Sequence, residues 1–192
     1  IAPGQPRIGL MLAYTPLHRL ILSRVGRPVV CTSGNVSDEP QCIDEADAET
    51  RLAPIASWIL SHDRPIAARV DDSLVAEMAG EMRLLRRARG YAPELLPLPD
   101  GMDADVLALG GQYKATVCWA RAGEALLSPH LGDLDDALAV AAWQETLEKL
   151  SRLYLHRPSR IAVDKHPGYH ATGVGRDLAL ARDLPLIEVQ HH

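Results

Sequence analysis

Between Ala92 and Asp105 the chain runs APELLPLPDGMDAD, with Pro93, Pro97, Pro99 and Gly101 crowded together. Proline removes backbone donors and pushes its predecessor into extended conformations, so this stretch makes a poor helix or central strand and a good linker. At roughly 100–200 residues per domain, the 192 residues allow one large domain or two small ones. The proline stretch selects two: residues 1–97, a linker over 98–104, and residues 105–192. No repeat or low-complexity segment appears on either side.

The first half reads as α/β. Arg7 to Tyr14 (RIGLMLAY) is apolar and strand-like, and Thr15-Pro16 supplies an N-cap and first-turn proline for a helix to about Val25. Pro28 to Cys31 reads as a short buried strand running into a polar loop, Thr32 to Pro40. A helix is expected over Ile43 to Leu52, and strands around Ser73 to Met78 and Met82 to Leu85.

The second half has a clearer order. Strands are expected at Val106 to Leu109, Ala115 to Trp119 and Ala125 to Leu127, then a long helix over Asp135 to Leu155. A strand at Ile161 to Val163, a helix at Gly175 to Arg182 and a strand at Leu186 to Val189 complete it. Three strands, then helix, strand, helix, strand, resemble the opening of the ribonuclease-H-like fold of actin, sugar kinases and Hsp70-type ATPases. That order bears on fold more than on function.

Composition excludes several function classes. A formal net charge of −5 argues against an electrostatic grip on nucleic acid or an anionic membrane. Three cysteines without a CxxC make neither a disulfide framework nor a Cys-rich zinc site. No apolar run approaches the roughly 18 residues of a membrane span, nothing resembles a signal peptide, and the chain reads as cytoplasmic. It starts at Ile1 and stops at Gln190-His191-His192, and both ends look cut.

Several segments have the residues for chemistry. Thr32, Ser33, Asn35 and Ser37 give a Gly-containing loop several donors directly after a strand, which suits an anion, although Ser-Gly-Asn is also ordinary turn chemistry. Asp72 and Ser73 lie in an Arg-Val-Asp-Asp-Ser run that a solvated turn would equally contain. Arg87 and Arg89, with Arg83 and Arg86, form a candidate phosphate clamp, or surface charge. In the second half, Gly110, Gly111, Lys114 and Thr116 lie on the turn between the first two strands, where ATPases of this fold bring backbone N–H groups to phosphate. His130 and Asp133 follow the third strand, at a plain turn or a site edge. Asp164 and His166 follow the fourth, where ligand loops sit in such sheets. A nuclease of this fold needs a carboxylate on the first strand, and Val106 to Leu109 has none. His191 and His192 end the chain as a tag remnant or as metal ligands.

Taken together these residues resemble the HypF family of [NiFe]-hydrogenase-maturation carbamoyltransferases. The matches run in order along the chain: Tyr14-Thr15-Pro16-Leu17-His18, Thr32-Ser33-Gly34-Asn35 with Ser37-Asp38-Glu39-Pro40, His62-Asp63-Arg64-Pro65-Ile66 and Asp71-Asp72-Ser73. They continue through Arg86-Arg87-Ala88-Arg89-Gly90-Tyr91, Leu109-Gly110-Gly111, Ser128 with His130, Asp164 with His166-Pro167, and Val189-Gln190-His191-His192.

The resemblance implies a partial YrdC-like α/β domain followed by a partial actin-like (ribonuclease-H-like, ASKHA) α/β domain of the TsaD-like type. It implies that the first uses ATP, with Mg, and carbamoyl phosphate to make carbamoyl-adenylate. The second then passes the carbamoyl group to the C-terminal cysteine of the partner HypE, as precursor of the cyanide ligands. By the same resemblance Thr32, Ser33, Asn35 and Ser37 line the ATP phosphates, with Arg87 or Arg89 nearby. His191 becomes the first ligand of a His-x-x-x-His pair for a divalent metal, iron or zinc, whose second member lies beyond His192. The family's acylphosphatase-like domain, zinc fingers and remaining parts of both catalytic domains are missing, which makes the chain a fragment expected to be inactive alone. Two alternatives stay open: threonylcarbamoyl-adenylate chemistry for tRNA modification, and a non-catalytic interaction module.

Overall fold

The computed structural model describes residues 2–37, 39–101 and 105–191. They form two compact units, residues 1–33 and 34–192.

The first unit contains one helix, α1 (Pro16–Val25). Thr15 caps it, its hydroxyl accepting from the His18 amide at 3.1 Å, and Pro16 occupies the first turn as its missing N–H permits. The strands expected over Arg7–Tyr14 and Pro28–Cys31 do not form. A strand satisfies its backbone through a neighbour, and none of the described strands pairs with either stretch. Leu10 is 91% exposed and Leu12 89%.

The second unit opens with α2 (Glu45–Leu52), which starts two residues later than expected because Asp44 turns its carboxylate onto the Asp47 amide as the cap. The two strands expected here, β1 (Leu74–Met78) and β2 (Glu81–Arg86), form and pair as an antiparallel hairpin. A six-stranded sheet follows, in the order β3-β6-β5-β4-β7-β8. Its strands are β3 (Leu95–Pro97), β4 (Val106–Ala108), β5 (Cys118–Arg121), β6 (Glu124–Leu127), β7 (Arg160–Asp164) and β8 (Leu186–Val189). The proline stretch therefore supplies a sheet edge, where Pro97's missing donor is tolerated. The strand expected at Ala115–Trp119 is assigned only from Cys118, because the Ser128 hydroxyl, not a ladder carbonyl, accepts the Val117 amide.

β4, β5 and β6 are antiparallel, whereas β7 pairs parallel to β4 and β8 parallel to β7. The chain order of these strands and helices is the one expected from sequence. α3 (Ala137–Leu153) and α4 (His170–Ala181) connect β6 to β7 and β7 to β8. α4 begins five residues before the expected Gly175, since Gly173 and Gly175 disguise a helix in sequence. Gly175 is needed there, because a Cβ would stand 2.2 Å from Val163 Cγ1 and 3.0 Å from Leu109 Cδ1. The core, built around Leu109, Val117, Leu126, Leu134, Trp143 and Ile161, belongs to the residues after Asp105. Taken over the chain, the fold is mixed α/β.

Candidate functional site

Parallel pairing of β4, β7 and β8 brings three loops to one edge of the sheet, at the carboxyl ends of the strands. The first, after β4, is the glycine turn. Gly110 has φ +73, and a Cβ there would stand 2.3 Å from the Thr116 carbonyl oxygen, so the turn closes only with glycine. The Lys114 amide donates to Asp133 Oδ1 at 2.6 Å, and the Lys114 side chain is exposed. Thr116 lies half-buried on the return.

The second loop follows β7 and centres on Asp164, only 7% exposed. Its Oδ1 accepts from the His166 amide at 2.7 Å, and its Oδ2 meets His191 Nδ1. The His166 amide holds this carboxyl below the usual carboxylate range, against the opposing effect of burial, and His191 adds to the lowering. Tyr169 stacks on His166 with ring centroids 4.2 Å apart. A Cβ on Gly111 would lie 3.9 Å from Tyr169 Cε2, so the first two loops touch. The third element, His191 after β8, closes on Asp164. Gly110, Gly111, Lys114, Thr116, Asp164, His166 and His191 thus gather at one sheet edge, with Asp133 bonded to the glycine turn.

Gln112 is the residue that sequence reasoning missed. Buried in the turn, its Nε2 donates to Leu134 O at 2.6 Å and Asp135 Oδ1 at 2.9 Å, and its Oε1 accepts from the His170 amide at 3.1 Å. One side chain therefore locks the glycine turn to the approach to α3 and the start of α4. A buried amide among glycines was the only signal.

A second cluster forms around β1 and β2. The Ser73 hydroxyl accepts from the Ala88 amide and donates to Arg89 O, each at 2.9 Å. Arg89 Nε meets Asp72 Oδ1 at 3.2 Å and its NH2 donates to Val70 O at 3.1 Å. Arg87 NH2 donates to Glu94 O at 3.3 Å, while its Nε is buried without a hydrogen-bond partner among the described residues. His130 joins this cluster rather than the sheet edge, its Nδ1 lying 2.6 Å from Asp71 Oδ2.

The polar loop straddles the two units. Thr32 and Ser33 end the first, while Asn35 and Ser37 begin the second. Asn35 Nδ2 donates to Val36 O at 2.9 Å and Glu39 O at 3.0 Å, closing the loop on itself. Arg51 ties Glu39 to α2 at 2.5 Å, and Asp47 and Glu39 together raise its pKa. A pocket of about 340 Å³ opens between α2 and residues 59–66, lined by Cys42, Glu49, Leu60, His62 and Arg64 among others. It contains none of the expected site residues. Among the described residues no group of three His, Cys, Asp or Glu stands ready to hold a metal, and no helix is long and apolar enough to cross a membrane.

Two family models match successive parts of the chain. Residues 1–88 match the family model of the Sua5, YciO and YrdC type, described as Telomere recombination, and residues 102–192 match the HypF Kae1-like domain. A Synechocystis protein named Carbamoyltransferase HypF is 48% identical over the whole chain, which covers 24% of that protein. A Rhodobacter capsulatus protein of the same name is 45% identical, again over the whole chain and 26% of the relative. Among solved structures, full-length HypF in a phosphate- and nucleotide-bound form aligns with TM-score 0.88 and 43% identity, over 95% of this chain and 28% of that one. HypF of T. kodakarensis aligns with TM-score 0.77 and 27% identity, over 84% and 21%. The chain spans about a quarter of the length of the curated relatives it matches.

Proposed function

The chain belongs to the HypF family, and from that premise we propose that it supplies parts of two active sites of a carbamoyltransferase. In the first, carbamate, left when carbamoyl phosphate loses its phosphate to water, attacks the α-phosphorus of ATP, with Mg, and displaces pyrophosphate to give carbamoyl-adenylate. In the second, the carbamoyl group passes to the C-terminal cysteine of HypE. The observation that carries the reading is the gathering of the Gly110–Gly111 turn, the Asp164–His166 loop and His191 at one sheet edge.

The chemistry is coherent. Carbamate is a poor electrophile, and the mixed anhydride with AMP gives it a good leaving group. Gly110 and Gly111 would bring backbone N–H groups to phosphate, with the Lys114 ammonium neutralising charge and the Thr116 hydroxyl beside it. In the first site Thr32, Ser33, Asn35 and Ser37 would face the ATP phosphates, with Arg87 or Arg89 as the cation. The solved relative that holds phosphate and nucleotide supports nucleotide use here.

The donor set fits a divalent metal, iron or zinc, as far as one ligand. Asp164 at His191 Nδ1 fixes the ring so that Nε2 bears the lone pair, the carboxylate–imidazole arrangement that orients metal-bound histidines. When bound, the metal would polarise the carbamoyl carbonyl. Cytoplasmic location accords with free thiols at Cys31, Cys42 and Cys118. Full-chain matches to HypF proteins favour this reading over threonylcarbamoyl-adenylate chemistry.

The test places this chain in the Synechocystis relative in exchange for its matching segment. We expect carbamoyl-phosphate-dependent ATP–pyrophosphate exchange and carbamoyl transfer to HypE. Asp164→Asn should lower transfer more than tenfold further than it lowers exchange, the order of loss seen when a histidine's orienting carboxylate is removed (roughly 10–100-fold). Equal loss of both steps would contradict the assignment of Asp164 to the second site.

A further inference from the structure

The segment from Ser128 to Leu134 is bonded to both clusters. At one end, His130 Nδ1 meets Asp71 Oδ2 at 2.6 Å and the His130 amide donates to Arg87 O at 2.9 Å. Asp71 is itself held, its Oδ1 accepting from Gln41 Nε2 at 2.8 Å and its carbonyl from the Arg89 amide at 2.9 Å. The pair is sheltered, with side-chain exposures of 14% for His130 and 27% for Asp71.

From the very next residue the segment grips the glycine turn. Leu131 N donates to Ala115 O at 2.9 Å, Ala115 N to Gly132 O at 2.8 Å and Leu134 N to Gln112 O at 2.9 Å. Asp133 Oδ1 takes the Lys114 amide at 2.6 Å. Little slack separates the two grips, since His130 and Leu131 are covalent neighbours and each is bonded to a different cluster.

We propose that Ser128–Leu134 couples the two clusters mechanically, with Asp71 and His130 as positioning residues that set the glycine turn through Gly132 and Asp133. The proposal rests on the functional reading above in taking the two clusters as sites; the hydrogen-bond chain stands without it. A contiguous bonded path of this kind is a physical route for coupling, and its worth is settled by perturbing one end and reading the other.

Amide hydrogen exchange on this chain, without nucleotide or carbamoyl phosphate, does that. His130→Ala and Asp71→Ala should each speed exchange at Lys114 and Ala115 by about tenfold relative to Ile161, as expected when a local opening loses one charged hydrogen bond. Ile161 donates to Pro185 O at 2.9 Å, in the β7 ladder away from the segment, and reports global opening. His130→Asn, which keeps a donor at the Nδ1 position, should restore slow exchange. Unchanged rates at Lys114 and Ala115 in both alanine variants, or a rise that Ile161 shares equally, would overturn the coupling. Because no substrate is present, failure of the proposed reaction would leave this result and its meaning intact.

Discussion

Asp164 makes three contacts, two through its carboxylate and one through its backbone. It takes the His166 amide, meets His191, and its backbone carbonyl accepts from the buried Thr172 hydroxyl at 3.1 Å. A buried carboxylate is tolerable only with such partners, and here they leave it ionised and aimed. Burial without such partners pushes a thiol's pKa upward, as it would a carboxyl's. Desolvation raises the pKa of Cys118, whereas Cys31 is exposed. Iodoacetamide at pH 8 should therefore modify Cys31 well before Cys118, and mass spectrometry of the labelled peptides checks the order. Asp164 and His166 are legible in the sequence because a polar loop directly follows an apolar strand. Asp71 and His130 are not legible as a pair. They lie 59 residues apart, and only the fold brings them together.

At the scale of elements, helices announce themselves through caps. Thr15-Pro16 marks the start of α1, Asp44 caps α2, which starts two residues beyond the expected Ile43, and the alternation of strands and helices after Asp105 is legible as chain order. The failures have equally local causes. Arg7–Tyr14 has strand composition without a described neighbour to pair with, and two glycines hide the first turns of α4. Those glycines are not equivalent. A Cβ on Gly173 meets nothing within 4 Å, whereas one on Gly175 meets Val163 and Leu109. Gly173→Ala should stabilise the chain by up to about 1 kcal/mol through helix propensity. Gly175→Ala gains the same term and loses about 1–3 kcal/mol to overpacking against a stiff β-branched side chain, so it should be net destabilising. Urea denaturation of both variants checks the opposite signs.

At the scale of the molecule, the buried apolar cluster draws on residues after Asp105, while the first unit leaves Leu10 and Leu12 almost fully exposed. The two family models divide the sequence near the same place, and each relative is about four times longer than this chain. The account therefore assigns activity to the chain only in the company of the remaining sequence of such a protein. Carbamoyl-phosphate-dependent ATP–pyrophosphate exchange tests this most directly, measured for the chain alone and for the Synechocystis relative with this chain in place of its own segment. We predict no exchange above background for the chain alone and robust exchange for the chimera, once circular dichroism has shown both to be folded. Robust exchange by the chain alone, or none from a folded chimera, would contradict the account.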